Sequence, residues 1–126
     1  MNAERWYIAV LVVTSSVSDG PTEPLVDLQF RLVRAADDEQ AYHRAIELGS
    51  QESHSYRNAD GALVSWQYIG LHDLRELQEQ ELAHGVEVFN ELTRLPVTEL
   101  VVAKDKLTCF WTEANNHRTA REILGE

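Results

Sequence analysis

The spacing of hydrophobic residues predicts two strands in the first third of the chain. Apolar residues fill both alternating sets of positions from Trp6 to Thr14, as in a strand that is buried on both faces of a sheet. From Leu25 to Arg34 apolar and polar positions alternate, which predicts one inward side and one solvent-facing side. The side expected inward is Val26, Leu28, Phe30 and Leu32, and the side expected in water is Asp27, Gln29 and Arg31. A polar loop joins the two strands, so we expect an antiparallel pair.

The next segment has the spacing and the capping residues of a helix. Asp37 is a good N-cap, and Gln40 lies three residues later, as in a capping box. We expect the helix to end at or near Gly49, because glycine is common at helix C-termini. The apolar stripe of this helix consists of Ala41, Tyr42, Ala45, Ile46 and Leu48.

A β-hairpin is predicted around the sequence Asn58-Ala59-Asp60-Gly61. Asn58 and Asp60 suit a type I turn. The residue after such a turn has a positive φ, which Gly61 adopts easily. If Asn58 pairs with Ala62, the facing pairs are Arg57 with Leu63, Tyr56 with Val64, Ser55 with Ser65 and His54 with Trp66. Side chains alternate along a strand, so Ser55 points away from His54, which excludes a serine–histidine dyad.

Four side chains of this hairpin are candidates for a ligand site or an interface. They are His54, Tyr56, Trp66 and Tyr68, which are expected to share one face with Val64. One interpretation is a core patch whose polar atoms find partners at the rim of the sheet. The other is a small aromatic pocket or an interface with His54 as its polar anchor.

The remaining chain predicts two further strands and a tail. One strand runs from Leu63 to Leu77 with a bulge at Gly70, and the other from Val86 to Leu92. In the tail, Val97–Ala103 has the composition of a strand, residues 107–114 fit helix and strand equally, and Asn116 suits the N-cap of a final helix. The predicted fold class is α+β in the order β-β-α-β-β-β, with an antiparallel sheet of about five strands and one principal helix. We expect one domain over residues 1–126, with a core at 6–92 and an extension at 93–126.

The acidic charge of the chain restricts its partners. The formal net charge is −10, from 21 acidic and 11 basic side chains. Affinity for nucleic acids and anionic membranes depends largely on lysine and arginine, so neither is expected as a partner. The acidity serves solubility in one interpretation and matches a basic partner in the other.

The cysteine content and the apolar runs predict a cytoplasmic protein. A single cysteine, Cys109, excludes an internal disulfide and favours a reducing compartment. Its neighbours Phe110 and Trp111 are apolar, so we expect a small buried hydrophobe rather than a nucleophile. The apolar run from Trp6 to Val13 is too short to cross a bilayer, and no cleavage site follows it.

No catalytic residue, metal ligand or cofactor is predicted. The five histidines show no His-x-x-x-His spacing, and a Cys-x-x-Cys pair is absent from the sequence. Glu76, Glu79 and Glu81 follow the long strand in a polar segment, where solvation accounts for them better than acid–base chemistry. The histidines are His43, His54, His72, His84 and His117.

Four stretches of the chain, taken in their order, form a pattern of their own. They are Trp6-Tyr7 at the start of the apolar strand, RLVRAADDEQAYHRAIELG (31–49), SYRNADGALVSWQYIG (55–70) and HGVEVF (84–89). Over about residues 6–90 the chain thereby resembles the bacterial family called domain of unknown function 4288, and from Thr93 onward it departs from that pattern. The family has no established activity, so the resemblance implies no catalytic or binding residue.

These observations predict a non-enzymatic binding or protein-interaction module. One helix shields only one face of a sheet, so the other apolar face of the first strand needs a cover. Either the tail from Val97 or a second subunit supplies it, and we expect a homodimer with a two-fold interface. The alternative function is an acidic immunity-type or inhibitor protein that neutralises a basic toxin or nuclease. An acidic stripe on the folded surface would favour this alternative, and scattered charge would favour the module.

Overall fold

A computed structural model describes residues 3–110 as a four-stranded sheet, one principal helix and an extension. The elements are β1 (Arg5–Val17), β2 (Leu25–Ala35), α1 (Asp38–Ser50), β3 (His54–Arg57), β4 (Leu63–Glu76) and α2 (Val97–Leu100). The strands form one antiparallel sheet in the order β2-β1-β4-β3. The predicted α+β class and antiparallel sheet are confirmed, with four strands in place of about five.

Two strand predictions are wrong. Residues 86–92 form no strand, although they were expected to be the fifth. This segment lies on the sheet instead of joining it, because Phe89 packs against the cluster of Ile8 and Val10. Val97–Ala103 starts with the short helix α2 and is followed by 3-10 turns at Lys104–Lys106 and Thr108–Phe110. The predicted final helix from Asn116 lies outside the described residues.

Strand β1 is buried on both faces, as its sequence predicted. Tyr7, Leu11 and Val13 pack under α1 with Ala41 and Ala45 of the helix. We call this side of the sheet the helix face. On the opposite side, Ile8 and Val10 are buried beneath Leu77 and Phe89. We call that side the open face, because no helix covers it among residues 3–110.

Helix α1 begins at the predicted cap. The Asp37 side chain accepts the N–H of Gln40 at 2.8 Å, and the Gln40 side chain accepts the N–H of Ala36 at 2.7 Å. These two hydrogen bonds satisfy backbone donors that a helix start leaves open. Gly49 lies inside the helix and not after it, because α1 continues to Ser50. A Cβ atom at Gly49 would overlap the ring of Tyr68, so glycine allows the helix to approach β4 closely.

The exposed side and the covered side of β2 are the reverse of the prediction. Cross-strand pairing places Leu32 opposite Ile8 and Phe30 opposite Val10, so the apolar set of β2 lies on the open face. The pairing register of β2 with β1 determines on which face of the sheet each side chain of β2 lies. Helix α1 reaches only the end of β2, at Val33 and Ala35. The expected inward residues are therefore half-exposed, namely Val26, Leu28, Phe30 and Leu32.

The polar residues of β2 lie partly buried on the helix face, beyond the end of α1. Gln29 donates to Asp27 at 2.9 Å, and Arg31 donates to Gln29 at 2.9 Å. Arg31 also forms an ion pair with Glu52, which follows the helix. A chain of hydrogen bonds along the strand thus satisfies side chains that the sequence pattern placed in water.

Candidate functional site

The hairpin of β3 and β4 has the predicted turn and the predicted pairs. Gly61 has φ +82°, and its N–H donates to the Asn58 carbonyl at 3.0 Å. The Asn58 side chain accepts the backbone N–H groups of Asp60 and Ala62, both at 3.0 Å. All four facing pairs occur, including His54 with Trp66 and Ser55 with Ser65. Asn58, Asp60 and Gly61 therefore build the turn that fixes the register of the hairpin.

Three of the four candidate residues on this hairpin form an aromatic stack. The His54 ring lies 6.1 Å from the Tyr56 ring and 6.4 Å from the Trp66 ring, with interplanar angles of 16° and 13°. His54 donates from Nδ1 to the Glu52 carbonyl at 2.9 Å, which fixes the orientation of its ring. His54 and Tyr56 are exposed, so the stack forms a surface platform rather than an enclosed pocket.

The fourth candidate, Tyr68, belongs to the core. Its ring packs against Gly49 of α1 and joins the cluster of Tyr7 and Leu11. Burial raises the pKa of the Tyr68 phenol, and Tyr42 adds to the shift. The core interpretation therefore fits Tyr68. Trp66 is partly buried against the same core, and His54 and Tyr56 are exposed at the surface.

A second tyrosine connects β1 to the start of α1. The Tyr7 hydroxyl donates to Asp38 Oδ1 at 3.0 Å beneath the helix. Burial, the hydrogen bond to Asp38 and the nearby carboxylates of Glu76 and Asp37 raise the pKa of Tyr7 to about 12. The phenol is thus a protonated donor at neutral pH, so we assign it a structural role.

The exposed apolar side of β2 is the largest feature that the sequence prediction missed. Four apolar side chains of β2 are 44 to 57% exposed there, and they lie next to the buried Ile8 and Val10. We call Val26, Leu28, Phe30 and Leu32 the apolar strip. A row of apolar side chains in water on one edge of a sheet is typical of an interaction surface. The strict alternation in β2 was the available signal, but it does not say which side the single helix covers.

An open groove of about 690 Å³ lies beside the apolar strip. Val10, Leu28, Phe30 and Phe89 provide its apolar walls. Phe89 contacts Phe30 edge to face, with ring centroids 5.6 Å apart. The groove therefore continues the apolar surface of β2 towards residues 89–93, which follow the sheet.

Arg75 of β4 lines the groove. Its guanidinium lies 4.5 Å from the centre of the Phe89 ring and donates to the Asn90 carbonyl at 3.0 Å. It also pairs with Asp73 at 3.3 Å. Two bulges in β4, on either side of Gly70, bring Asp73 opposite Val10 and Arg75 opposite Ile8. This confirms the predicted irregularity at Gly70 and explains how polar residues of β4 reach the open face.

The chain that borders the groove is acidic. Residues 73–91 contain six acidic side chains and one arginine, a net charge of −5. Asp73, Glu87 and Glu91 line the groove or the depression next to it. We call residues 73–91 the acidic border. One side of the open face therefore combines apolar contact area with negative charge.

The structure corrects the prediction for the cysteine. Cys109 is exposed rather than buried, because the residues around it make a 3-10 turn outside the sheet.

Across residues 3–110, no group of three or more His, Cys, Asp and Glu side chains is arranged to hold a metal ion. No helix within the same residues is long and apolar enough to span a membrane.

These features define a two-layer α+β domain in which one face of the sheet carries the helix and the other is open. The model of the DUF4288 family, a domain of unknown function, matches residues 6–90, and the chain belongs to this family. The match ends at residue 90, so the extension from residue 93 lies outside it. No curated protein and no solved structure matches the chain.

Proposed function

We propose that the protein is a non-enzymatic interaction module that forms a homodimer through the open face. The observation that carries this proposal is the exposure of the whole apolar strip of β2. Burying such side chains is favourable by about 25 cal/mol per Å² of apolar surface. A contact between two copies would remove both strips from water through a single two-fold interface.

The order of residues in the strip supports self-association. Within the strip, Leu28 and Leu32 lie at equal distances along the strand on either side of Phe30. If two strips meet with antiparallel directions and Phe30 on the two-fold axis, Leu28 of one copy contacts Leu32 of the other. The strip is thus complementary to itself, which an isologous interface requires.

Light scattering of the wild type and one variant tests this proposal. We expect the wild type at micromolar concentration to have twice the chain mass of 14.3 kDa, and Phe30→Asp to have the mass of one chain. Tyr42→Asp is the matched control, because Tyr42 is similarly exposed on the helix and away from the strip. A wild type that stays at 14.3 kDa, or a Phe30→Asp variant that stays dimeric, would contradict the proposal.

A second candidate function is the inhibitor of a basic partner. The acidic border favours it, because half of the net charge of −10 lies in residues 73–91 and that segment lines the groove. Oppositely charged surfaces steer association and select partners. Binding of a cationic protein such as lysozyme, measured by calorimetry at low and moderate salt, would show whether the border recruits basic surfaces. The variant Glu87→Gln/Glu91→Gln should weaken that binding more than the remote pair Glu23→Gln/Glu47→Gln.

A further inference from the structure

The extension carries apolar side chains that face water. Residues 92–110, which we call the arm, are exposed throughout. Leu92, Val97 and Val101 are 72 to 94% exposed, which is more than any residue of the apolar strip. In and next to α2, Val97, Leu100 and Val101 have i, i+3, i+4 spacing, so they form one apolar side of this turn. The arm thus has a contact surface of its own.

The arm and the acidic border have opposite charge. The arm has three basic residues, Arg94, Lys104 and Lys106, and two acidic ones, which gives a net charge of +1. The acidic border has −5. Lys104 and Lys106 are also the only lysines of the chain. The acidic border next to the open face and the arm, which is net positive, therefore have complementary charge.

We propose that the arm of one copy docks on the open face of a second copy and that two copies exchange arms in this way. The inference rests on the proposed function, since it takes the open face as the contact surface. The apolar side of α2 covers the strip and the groove at Phe89, and Arg94 and Lys104 lie against the acidic border of the other chain. The exchange adds contact area to a strip that by itself provides only a few hundred Å² per copy, less than a stable dimer buries.

The connection between the two surfaces favours exchange over docking within one chain. Leu92 and Thr93, at the start of the arm, already line the groove. The arm is thus tethered next to its own open face, yet both surfaces remain exposed in the single chain. In a second copy the same two surfaces are available, and no short connection at Leu92 and Thr93 restricts how the arm reaches them. Proteins that exchange identical elements between protomers use the same arrangement.

Photo-crosslinking from Cys109 tests the exchange in the full chain. Cys109 is exposed and lies in the arm, so a benzophenone maleimide attaches there without a substitution. The labelled chain is equilibrated with a tenfold excess of ¹⁵N-labelled Cys109→Ser chain and irradiated, and the peptides are identified by mass spectrometry. We expect crosslinks from the ¹⁴N arm to ¹⁵N peptides that contain the apolar strip or Phe89.

The crosslinks distinguish failure of this inference from failure of the proposed function. Crosslinks confined to ¹⁴N peptides would show that each arm covers its own chain, and crosslinks to other regions would remove the arm from the interface. Either result overturns the exchange. If Phe30→Asp still produces single chains in light scattering, the open face remains the interface. If it does not, the proposed function is wrong as well.

A charge exchange provides an independent test. Arg94→Glu/Lys104→Glu should raise the dissociation constant of the dimer about tenfold, as should Glu87→Lys/Glu91→Lys, because each places like charges together. The combination of all four substitutions should restore the wild-type value to within about threefold. Reversal of two remote charges, Glu23→Lys/Glu47→Lys, is the control and should not be rescued by the arm substitutions. If the remote pair Glu23→Lys/Glu47→Lys raised the dissociation constant as much as Glu87→Lys/Glu91→Lys, or if the four combined substitutions gave no rescue, the docking of the arm on the border would be contradicted.

Discussion

The helix face and the open face differ although the same strands build them. On the helix face, Tyr7, Leu11 and Val13 are at most 2% exposed because α1 lies across them. On the open face, the central strand is buried but the edge strand β2 keeps its apolar strip half-exposed. On the open face the central strand is thus buried by Leu77 and Phe89, which lie over it, whereas the edge strand β2 stays half-exposed. The comparison predicts that equal substitutions on the two faces have unequal effects.

The largest expected difference is between two leucines. Leu11→Ala on the helix face should lower the free energy of unfolding by about 3 to 4 kcal/mol, because it leaves a cavity in a packed core. Leu28→Ala on the open face should cost less than about 1 kcal/mol at low protein concentration, where single chains prevail. Urea denaturation at nanomolar concentration, followed by tryptophan fluorescence, measures both values. Equal losses would contradict the distinction between the faces.

The second prediction concerns the closest contact on the helix face. Gly49→Ala adds a methyl group where the Tyr68 ring already lies, so we expect a loss of about 2 kcal/mol despite the better helix propensity of alanine. Ser50→Ala, one residue later on the exposed side of α1, is the control and should change stability little. Thermal unfolding of both variants provides the measurement. A more stable Gly49→Ala protein would show that the helix does not lie against Tyr68.

The third prediction concerns alkaline pH. In the folded protein the pKa of Tyr7 is raised from 10.0 to about 12, mainly by burial. The folded state therefore prefers the protonated phenol, and this stabilisation is complete below pH 10 and is lost as the pH rises towards 12. We expect Tyr7→Phe to cost about 1 kcal/mol at pH 8 through loss of the hydrogen bond to Asp38. Its unfolding free energy should then fall less steeply than that of the wild type between pH 10 and 12, and parallel curves would refute the assignment.

The smallest expected effect is a gain in stability. Ser15 lies on the helix-face side of β1, is buried, and its hydroxyl has no hydrogen-bond partner within residues 3–110. Ser15→Ala should therefore raise the unfolding free energy by up to about 1 kcal/mol. Ser16→Ala, on the other side of the strand and partly exposed, should be neutral. A destabilised Ser15→Ala variant would indicate that a water molecule or another group satisfies the hydroxyl.

The sequence predicted the elements whose causes are local. The cap at Asp37 and the turn at Gly61 depend on side chains within a few residues, and both are confirmed. The position of this turn determined all four cross-strand pairs of the hairpin. It thereby also determined that His54 stacks with Tyr56 and Trp66. The burial of β1 on both faces was also predictable, because apolar residues fill both alternating sets of its positions.

The features that depend on distant parts of the chain were not predictable. Alternation in β2 indicated two sides but not which side α1 would cover, so the apolar strip was assigned to the wrong side. Residues 86–92 have strand composition, but Phe89 packs onto the open face through contacts with residues far away in the sequence. Cys109 was expected in a core because its neighbours are apolar, yet the arm packs into no core.

The position of β2 has a consequence for how the protein behaves in concentrated solution. An eleven-residue strand at the edge of a sheet offers unpaired backbone groups that can template further strands, and its apolar strip would favour stacking of the resulting sheets. The net charge of −10 opposes this at neutral pH through mutual repulsion. At the isoelectric point near pH 4.9 the repulsion vanishes, so we expect turbidity and thioflavin-positive fibrils in mildly acidic buffer. We therefore expect the carboxylates of this chain to suppress fibril formation at neutral pH.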